Sequence, residues 1–584
     1  MDIPHNNSTF IHHPAVSRSP LITKHPHTAF IVCHSNVTLM NRFISKIKVL
    51  LFVILLIACR ERQRPMLAKE ISSINLKTGD VVLCGPEDKS LGKVSFIITG
   101  NDSLIKQFNF AVALLHSFEY DEAEKVFAKI IQYDQHCAMA YWGVAMCNFH
   151  PLWTPPETPE LTKGLKALEI ARSIEPKTTR ESDYINALLA YYDDWEKLDH
   201  RTRCNQYEEA MRKLSEQYPN DKEATIFYAL ALDAAADPAD KTYAKQKKAG
   251  QILNGLYPNA PYHPGIIHYI IHTYDYPELA EMALPAAQKY ASVASASAHA
   301  QHMPSHIFTR LGLWNESIQS NLASIAAAKC YAESSGIKGH WDEELHAMDY
   351  VVYAYLQKKD LKRAKEQWDY LNTFKQVSPP NLKGAYTFAA IPARYVLENR
   401  LWKEAAQLTT TPAGFPMQQF PWQRAIIHFT RALGFVHLNK LDSAKNELAI
   451  LNQLRNDLLN KKESYKANQV DIQIKATEGW IALKEGNQVV ALERMGLAAE
   501  MEDKTEKHPV TPGEVLPARE LLGDMYLELK QPDKALEAYQ ADLEKHPNRY
   551  NGLHGASRSA AMCEQKDLAD FYSKQLAKVV GRES

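Results

Sequence analysis

The sequence predicts an all-α protein, a solenoid of stacked helix-turn-helix hairpins preceded by a signal segment and a short linker. Three observations predict it. From Gln107 onward apolar residues recur at helical spacing, as in "FNFAVALLHSFEYDEAEKVFAKIIQYDQHCAMAYWGVAM", which breaks near Glu119 and then resumes twice. Self-similarity returns at a period of 34 residues, the distance from Ala535 to Ala569. Small residues at matching points, Ala123, Ala364, Ala444 and Ala491, would let paired helices pack closely.

The segments follow in order. Residues 1–39 are rich in His, Pro and Ser without helical or strand period, so they read as a disordered leader or a mis-called start, and their histidines are excluded from any site. "MNRFISKIKVLLFVILLIAC", Met40 to Cys59, has a cationic start, a short apolar run and a terminal cysteine, the build of a secretory signal. Leu56-Ile57-Ala58-Cys59 resembles the bacterial lipobox, which implies Met40 as the true start, lipidation of Cys59 and a place in the cell envelope. Arg60 rather than Asp follows the cysteine; by resemblance to Gram-negative lipoproteins that residue does not signal inner-membrane retention, so periplasm or outer membrane is expected if the host is Gram-negative. Residues 60–100 read as a linker with β-like pieces at "DVVLC" and "KVSFIITG". Residues 101–414 and 415–584 read as two repeat arrays, divided near "FPMQQFPWQ".

Near the end, Leu522, Gly523, Tyr526, Ala535, Tyr539 and Pro547 sit at spacings that resemble the tetratricopeptide (TPR) pattern. Composition agrees with a folded chain, since 45% of the 584 residues are hydrophobic and the net charge is -1. The near-zero charge and the lack of a basic run argue against a nucleic-acid partner. The eight cysteines are scattered with no C-x-x-C, so most read as buried small hydrophobes.

The histidines carry the functional signal. "HPGIIHYIIHTYDYP" and "HMPSHIFTRLG" each place two histidines four residues apart, and His268 to His302 and His272 to His306 are each one 34-residue repeat. Both pairs therefore occupy equivalent positions on adjacent hairpins, each pair on one helical face, with Gly312 and Trp314 at the turn after the second pair; the resemblance to TPR modules implies that these positions face the concave groove. Alignment on Ala364 adds His346, Asp349 and Tyr353, and Arg310 could meet a ligand carboxylate or form a structural salt bridge. His116 and His150, also 34 apart, read as residues beside turns. Pro304 fits the first turn of a helix, and Gly265 after Pro264 marks another helix entry.

Two chemistries are open to this set. Imidazoles at i and i+4 can share a metal, with a neighbouring helix adding ligands, and His/carboxylate donors would suit Zn, Fe or Mn. Asp349 would then be a ligand or an orienter. An inward histidine line can equally bind a peptide carboxylate or an aromatic group without metal. No phosphate-binding Gly-rich loop, nucleophile elbow or H-E-x-x-H is present. The aromatic stripes, Tyr141, Trp142, Tyr350 and Tyr353 among them, read as core and groove lining.

The two histidine motifs together with "AMAYWGVAM" and "LPARELLGDMY" closely resemble a group of bacterial TPR proteins of unassigned function, over roughly residues 80–584. The resemblance implies the fold and no activity. The expectation is therefore a membrane-tethered TPR scaffold that holds a peptide, protein segment or small ligand in a groove lined by His268, His272, His302, His306, Arg310, His346, Asp349 and Tyr353. The alternative is a metal-dependent enzyme that uses the four paired histidines as ligands.

Overall fold

A computed structural model describes residues 68–85, 90–152, 155–409 and 414–581. The signal segment and Cys59 lie outside the described residues. From Glu70 the chain forms one compact unit. Among the described residues it holds 25 α-helices, each packed on the next, and one two-residue parallel pairing of His340–Trp341 with Val377–Ser378. The fold is an all-α helix-turn-helix solenoid. None of the described helices is long and apolar enough to cross a membrane.

The repeat anchors do the packing expected of them. Ala123, Ala364, Ala444, Ala491 and Ala535 have no exposed surface, because a partner helix lies directly against each. A Cβ on Gly523 would stand 2.7 Å from the Tyr539 ring, so the helix before the turn approaches its partner through a glycine. Many of the turns share one device, a left-handed residue two positions after the helix ends, as at Phe118, Lys359, Asn439 and Lys530. Gly312 fills that position with φ +64 before Trp314 opens the next helix.

Seven helices build the histidine-bearing region: α1 (Asp102–His116), α2 (Lys222–Ala234), α3 (Pro264–Thr273), α4 (Ala298–His302), α5 (Pro304–Arg310), α6 (Trp314–Ser334) and α7 (Asp342–Gln357). Helices α4 and α5 are nearly continuous. The break falls at Met303 because Pro304, the first residue of α5, has no N–H to continue the ladder.

Two features depart from a simple array. The described residues of the stretch expected as a linker, 68–85 and 90–100, form a strap against the helices. Its pieces are extended without forming strands, and Cys84 N donates to Ala296 O (3.4 Å), Ala296 N to Ser90 O (3.0 Å) and Lys93 N to Tyr262 O (2.8 Å). Phe96 is fully buried against Phe108, Trp142 and Tyr184. A disulfide joins Cys84 to Cys330 across 246 residues, a pairing that the scattered cysteines did not reveal. Near the other end, the non-helical segment between Asp503 and Ala518 lies across the histidine-bearing face. Lys507 Nζ reaches Asp275 Oδ2 (3.0 Å), Tyr350 Oη donates to Thr511 O (3.0 Å) and Arg394 Nη2 to Gly513 O (2.8 Å).

Candidate metal centres

The structure sorts the histidines into two triads. His268 and His272 of α3 meet His299 of α4; His302 of α4 and His306 of α5 meet His346 of α7. In each triad the ligand atoms lie within 4.8 Å of one another. The sequence-predicted pairs thus belong to two centres and not to one shared set. The third member of the first triad, His299, was missed by repeat matching, although "HAQHMPSH" holds it three residues before His302, on the same helical face.

The second triad is defined by its hydrogen bonds. Asn321 of α6 donates through Nδ2 to Ser317 O (2.7 Å), so the oxygen of its amide is the atom facing His302 Nδ1 at 2.6 Å. His302 Nδ1 must therefore carry the proton. His306 Nδ1 lies 2.9 Å from Asp275 Oδ2 and donates to it. Burial holds both rings below the usual histidine range, so at neutral pH each has one proton and that proton is spoken for. Two bare Nε2 lone pairs then point at each other across 3.0 Å. A pair of acceptors at that distance repels unless a cation lies between them. A tetrahedral ion roughly 2.0–2.1 Å from each imidazole nitrogen sets those nitrogens about 3.3 Å apart, close to what is observed.

The first triad has the same logic. His268 Nδ1 donates to the His116 carbonyl (2.6 Å), which leaves its Nε2 bare and 3.0 and 3.1 Å from His272 Nε2 and His299 Nε2. Burial lowers the His268 pKa to about 3, so the ring is neutral and able to ligate. Phe118 packs over all three rings and Tyr290 stacks on His268, giving an apolar wall.

A third cluster, His116, Glu223 of α2 and His263, has comparable geometry and another explanation. Glu223 accepts from His116 Nε2 (3.0 Å) and from His263 Nε2 (2.8 Å), while His263 Nδ1 accepts the Ile266 N–H that caps α3. His116 Nδ1 meets the Tyr269 hydroxyl at 2.9 Å. Every nitrogen is used, so the cluster saturates itself. Its role is to fix the His116 carbonyl that orients His268. His150 is not its equivalent: it occupies a left-handed position, faces Glu160 and stacks near Tyr120.

The remaining predicted groove residues are placed elsewhere. Arg310 forms the structural salt bridge, donating to Asp275 Oδ1 (2.8 Å). Burial favours the neutral acid at Asp275, but Lys507, Arg310 and His306 outweigh it and hold the carboxyl well below its ordinary range. Asp349 pairs with the fully buried Arg394, not with a histidine, and Tyr353 accepts from Arg549 Nη1 (2.9 Å). Six of the eight predicted groove residues are less than 5% exposed, His272 is half-buried and Arg310 is 8% exposed. The chain's own segment at Lys507–Gly513 covers this face, so it offers no open channel there. Asp275 and Asn321 were not legible from spacing, since each is a polar partner delivered by another element.

The two centres differ in access. The second lies under Tyr350 and the Thr511 carbonyl, with the Tyr350 hydroxyl 3.4 Å from His306 Nε2. The first borders, through His299 and Phe118, a cavity of about 480 Å³. Burial raises the carboxyl of Glu119 in that cavity to about 7.

No protein-family model matches the chain, and no curated sequence matches it. Solved structures similar to it include the human IFIT1 dimer with PPP-AAAA, at 10% identity and a TM-score of 0.33, covering 82% of this chain and 89% of that one. Yeast Tom70 is similar at 11% identity and a TM-score of 0.31, covering 82% and 99%. The P58(IPK) TPR domain is similar at 13% identity and a TM-score of 0.19, covering 79% and 99%. Scores of this size carry no argument about function, and the helical-hairpin architecture stands on the helix order itself.

Proposed function

We propose that the chain is an exported metalloprotein in which a helical-repeat scaffold holds two tri-histidine transition-metal centres. The observation that carries the reading is the pair of bare Nε2 atoms of His302 and His306, 3.0 Å apart in a buried site whose tautomers Asn321 and Asp275 fix. Three neutral imidazoles per ion leave a fourth position for water or substrate, the arrangement of catalytic rather than closed structural sites. The donors are all imidazole, because Asp349 is committed to Arg394. That set suits zinc, copper or iron and removes the carboxylate that manganese prefers.

Export is supported by the Cys84–Cys330 disulfide, since such bonds persist in oxidising compartments. It agrees with lipidation of Cys59, which tethers the chain to the cell envelope in this reading. A second reading, a peptide or protein partner for the repeats, rests on the fold and not on these histidines.

The test is metal analysis of protein beginning after Cys59 and purified without a polyhistidine tag. Wild-type protein should bind about two ions per chain after loading with Zn(II) or Cu(II), one for each triad. His299→Ala and His346→Ala should each lose one ion. Folded protein that stays metal-free under loading would overturn the reading. Fatty-acid labelling of the full chain, abolished by Cys59→Ala, checks the tether separately.

A further inference from the structure

Resting on the metal reading above, we infer that the cavity beside the first triad is a substrate chamber that admits a small organic cation to the ion held by His268, His272 and His299. The chamber has a volume of about 480 Å³, room for a compact molecule in the usual range for ligand sites. His299 and Phe118 form its inner boundary, and both belong to the wall of the first centre.

Charge selects the ligand class. Five acidic side chains line the chamber, those of Glu119, Asp121, Glu160, Asp342 and Glu343, against two ammonium groups and the imidazole of His150. Both ammonium groups are already engaged: Lys77 pairs with Asp121, and Lys383 is shared by Asp342 and Glu343. Glu160 faces the His150 imidazole at 3.6 Å and Glu119 lies outside these ion pairs, so an anion entering the chamber finds both ammonium groups already held by carboxylates. A phosphate or carboxylate substrate is disfavoured and an ammonium group is favoured.

Two further observations point the same way. Tyr120, Tyr331 and Trp341 also line the chamber, and aromatic rings attract cations in partly desolvated sites. The Tyr120 hydroxyl is buried and has no hydrogen-bond partner. A buried hydroxyl left unpaired costs stability, and a ligand's polar group would satisfy it.

The experiment uses three probes of matched shape: 2-phenylethylamine, 2-phenylethanol and 3-phenylpropanoate. Each is titrated by calorimetry into the Cu(II)-loaded chain that begins after Cys59, and the paramagnetic relaxation of its protons is read by NMR. The amine should bind about tenfold or more tighter than the alcohol, the difference a cation–π and carboxylate pair supplies, and the anion should not bind. Its protons should relax near the copper, and His268→Ala/His272→Ala should abolish that effect. Glu119→Gln and Trp341→Phe should each weaken the amine severalfold with metal content unchanged. Equal binding of the three probes, preference for the anion, or amine binding without relaxation in metal-loaded protein would overturn the chamber. If the chain takes up no metal, the inference fails together with the metal reading. Full metal content without amine binding sinks the chamber alone, so the two failures are told apart.

Discussion

At the scale of single residues, Asn321 decides the second centre. Its amide is locked by Ser317 O and presents oxygen to His302 Nδ1, and this makes His302 Nε2 a donor to metal. Asn321→Leu removes that acceptor and should lower affinity at the second centre by about 10- to 100-fold, with the first unchanged. Chelator competition on single-centre variants reads this directly; equal affinities would refute the tautomer argument. Gly265 is the corresponding position for the first centre. Helix propensity alone favours Gly265→Ala by up to about 1 kcal/mol. The added Cβ, however, would stand 2.5 Å from His116 Nδ1 and must displace the ring whose own carbonyl orients His268. Repacking of that kind costs about 1–3 kcal/mol, so the clash wins. The variant should lose thermal stability and first-centre affinity together, and a calorimetric scan with metal titration checks both.

At the scale of elements, the strap is the piece that holds α4 in place. It bonds to Ser295 and Ala296 just before the helix that supplies one histidine to each triad. Phe96→Ala should cost about 3–5 kcal/mol, the range for deleting a buried aromatic ring. Cys84→Ser/Cys330→Ser should cost about 2–4 kcal/mol and weaken metal binding at both centres, because His299 and His302 share α4. Denaturant melts with and without loaded metal measure this; a loss confined to one centre would contradict the shared-helix account. The helical hairpins themselves were legible, since apolar spacing, buried alanines and a 34-residue period all report the same local geometry. So were His268, His272, His302 and His306, as one repeat unit separates the pairs. The strap was not legible, because nothing in "DVVLC" or "KVSFIITG" says which distant helices it will lie against. The division into two triads was hidden for the same reason: His346 and His299 complete different sites through packing between elements, to which spacing within one hairpin is blind.

At the scale of the whole molecule, histidines outside the triads shape the pH dependence. Burial depresses His200 to about 4, His437 to about 3 and His508 to about 4. The unfolded chain binds more protons than the folded one between those values and the ordinary histidine range near 6.5, so stability falls as pH drops through that window. His546 has the opposite sign. Burial opposes its charge, but Glu514 and Asp542 prevail and raise it to about 9. Its contribution is full below about pH 6.5 and is lost as pH climbs toward 9. Metal-free protein should therefore melt highest near neutrality, and His546→Gln should flatten only the alkaline side of a melting-temperature profile from about pH 4 to 9.5. A variant that flattens the acid side instead would reverse the sign argument. The far end of the chain also folds back on its middle: Arg549, fully buried, donates to Glu398 Oε1 (2.6 Å) and Glu520 Oε1 (2.7 Å). Arg549→Ala would strand two buried carboxylates, a loss of about 3–5 kcal/mol readable in the same melts. The Cys84–Cys330 bond has one more consequence. It closes a covalent ring across a separation of 246 residues, and five of the six triad histidines lie on that ring while His346 lies just beyond its knot. A protease that nicks any loop of the ring opens it without parting it. The nicked protein would still migrate as one piece until a reductant is added, and every histidine would stay tethered to its neighbours.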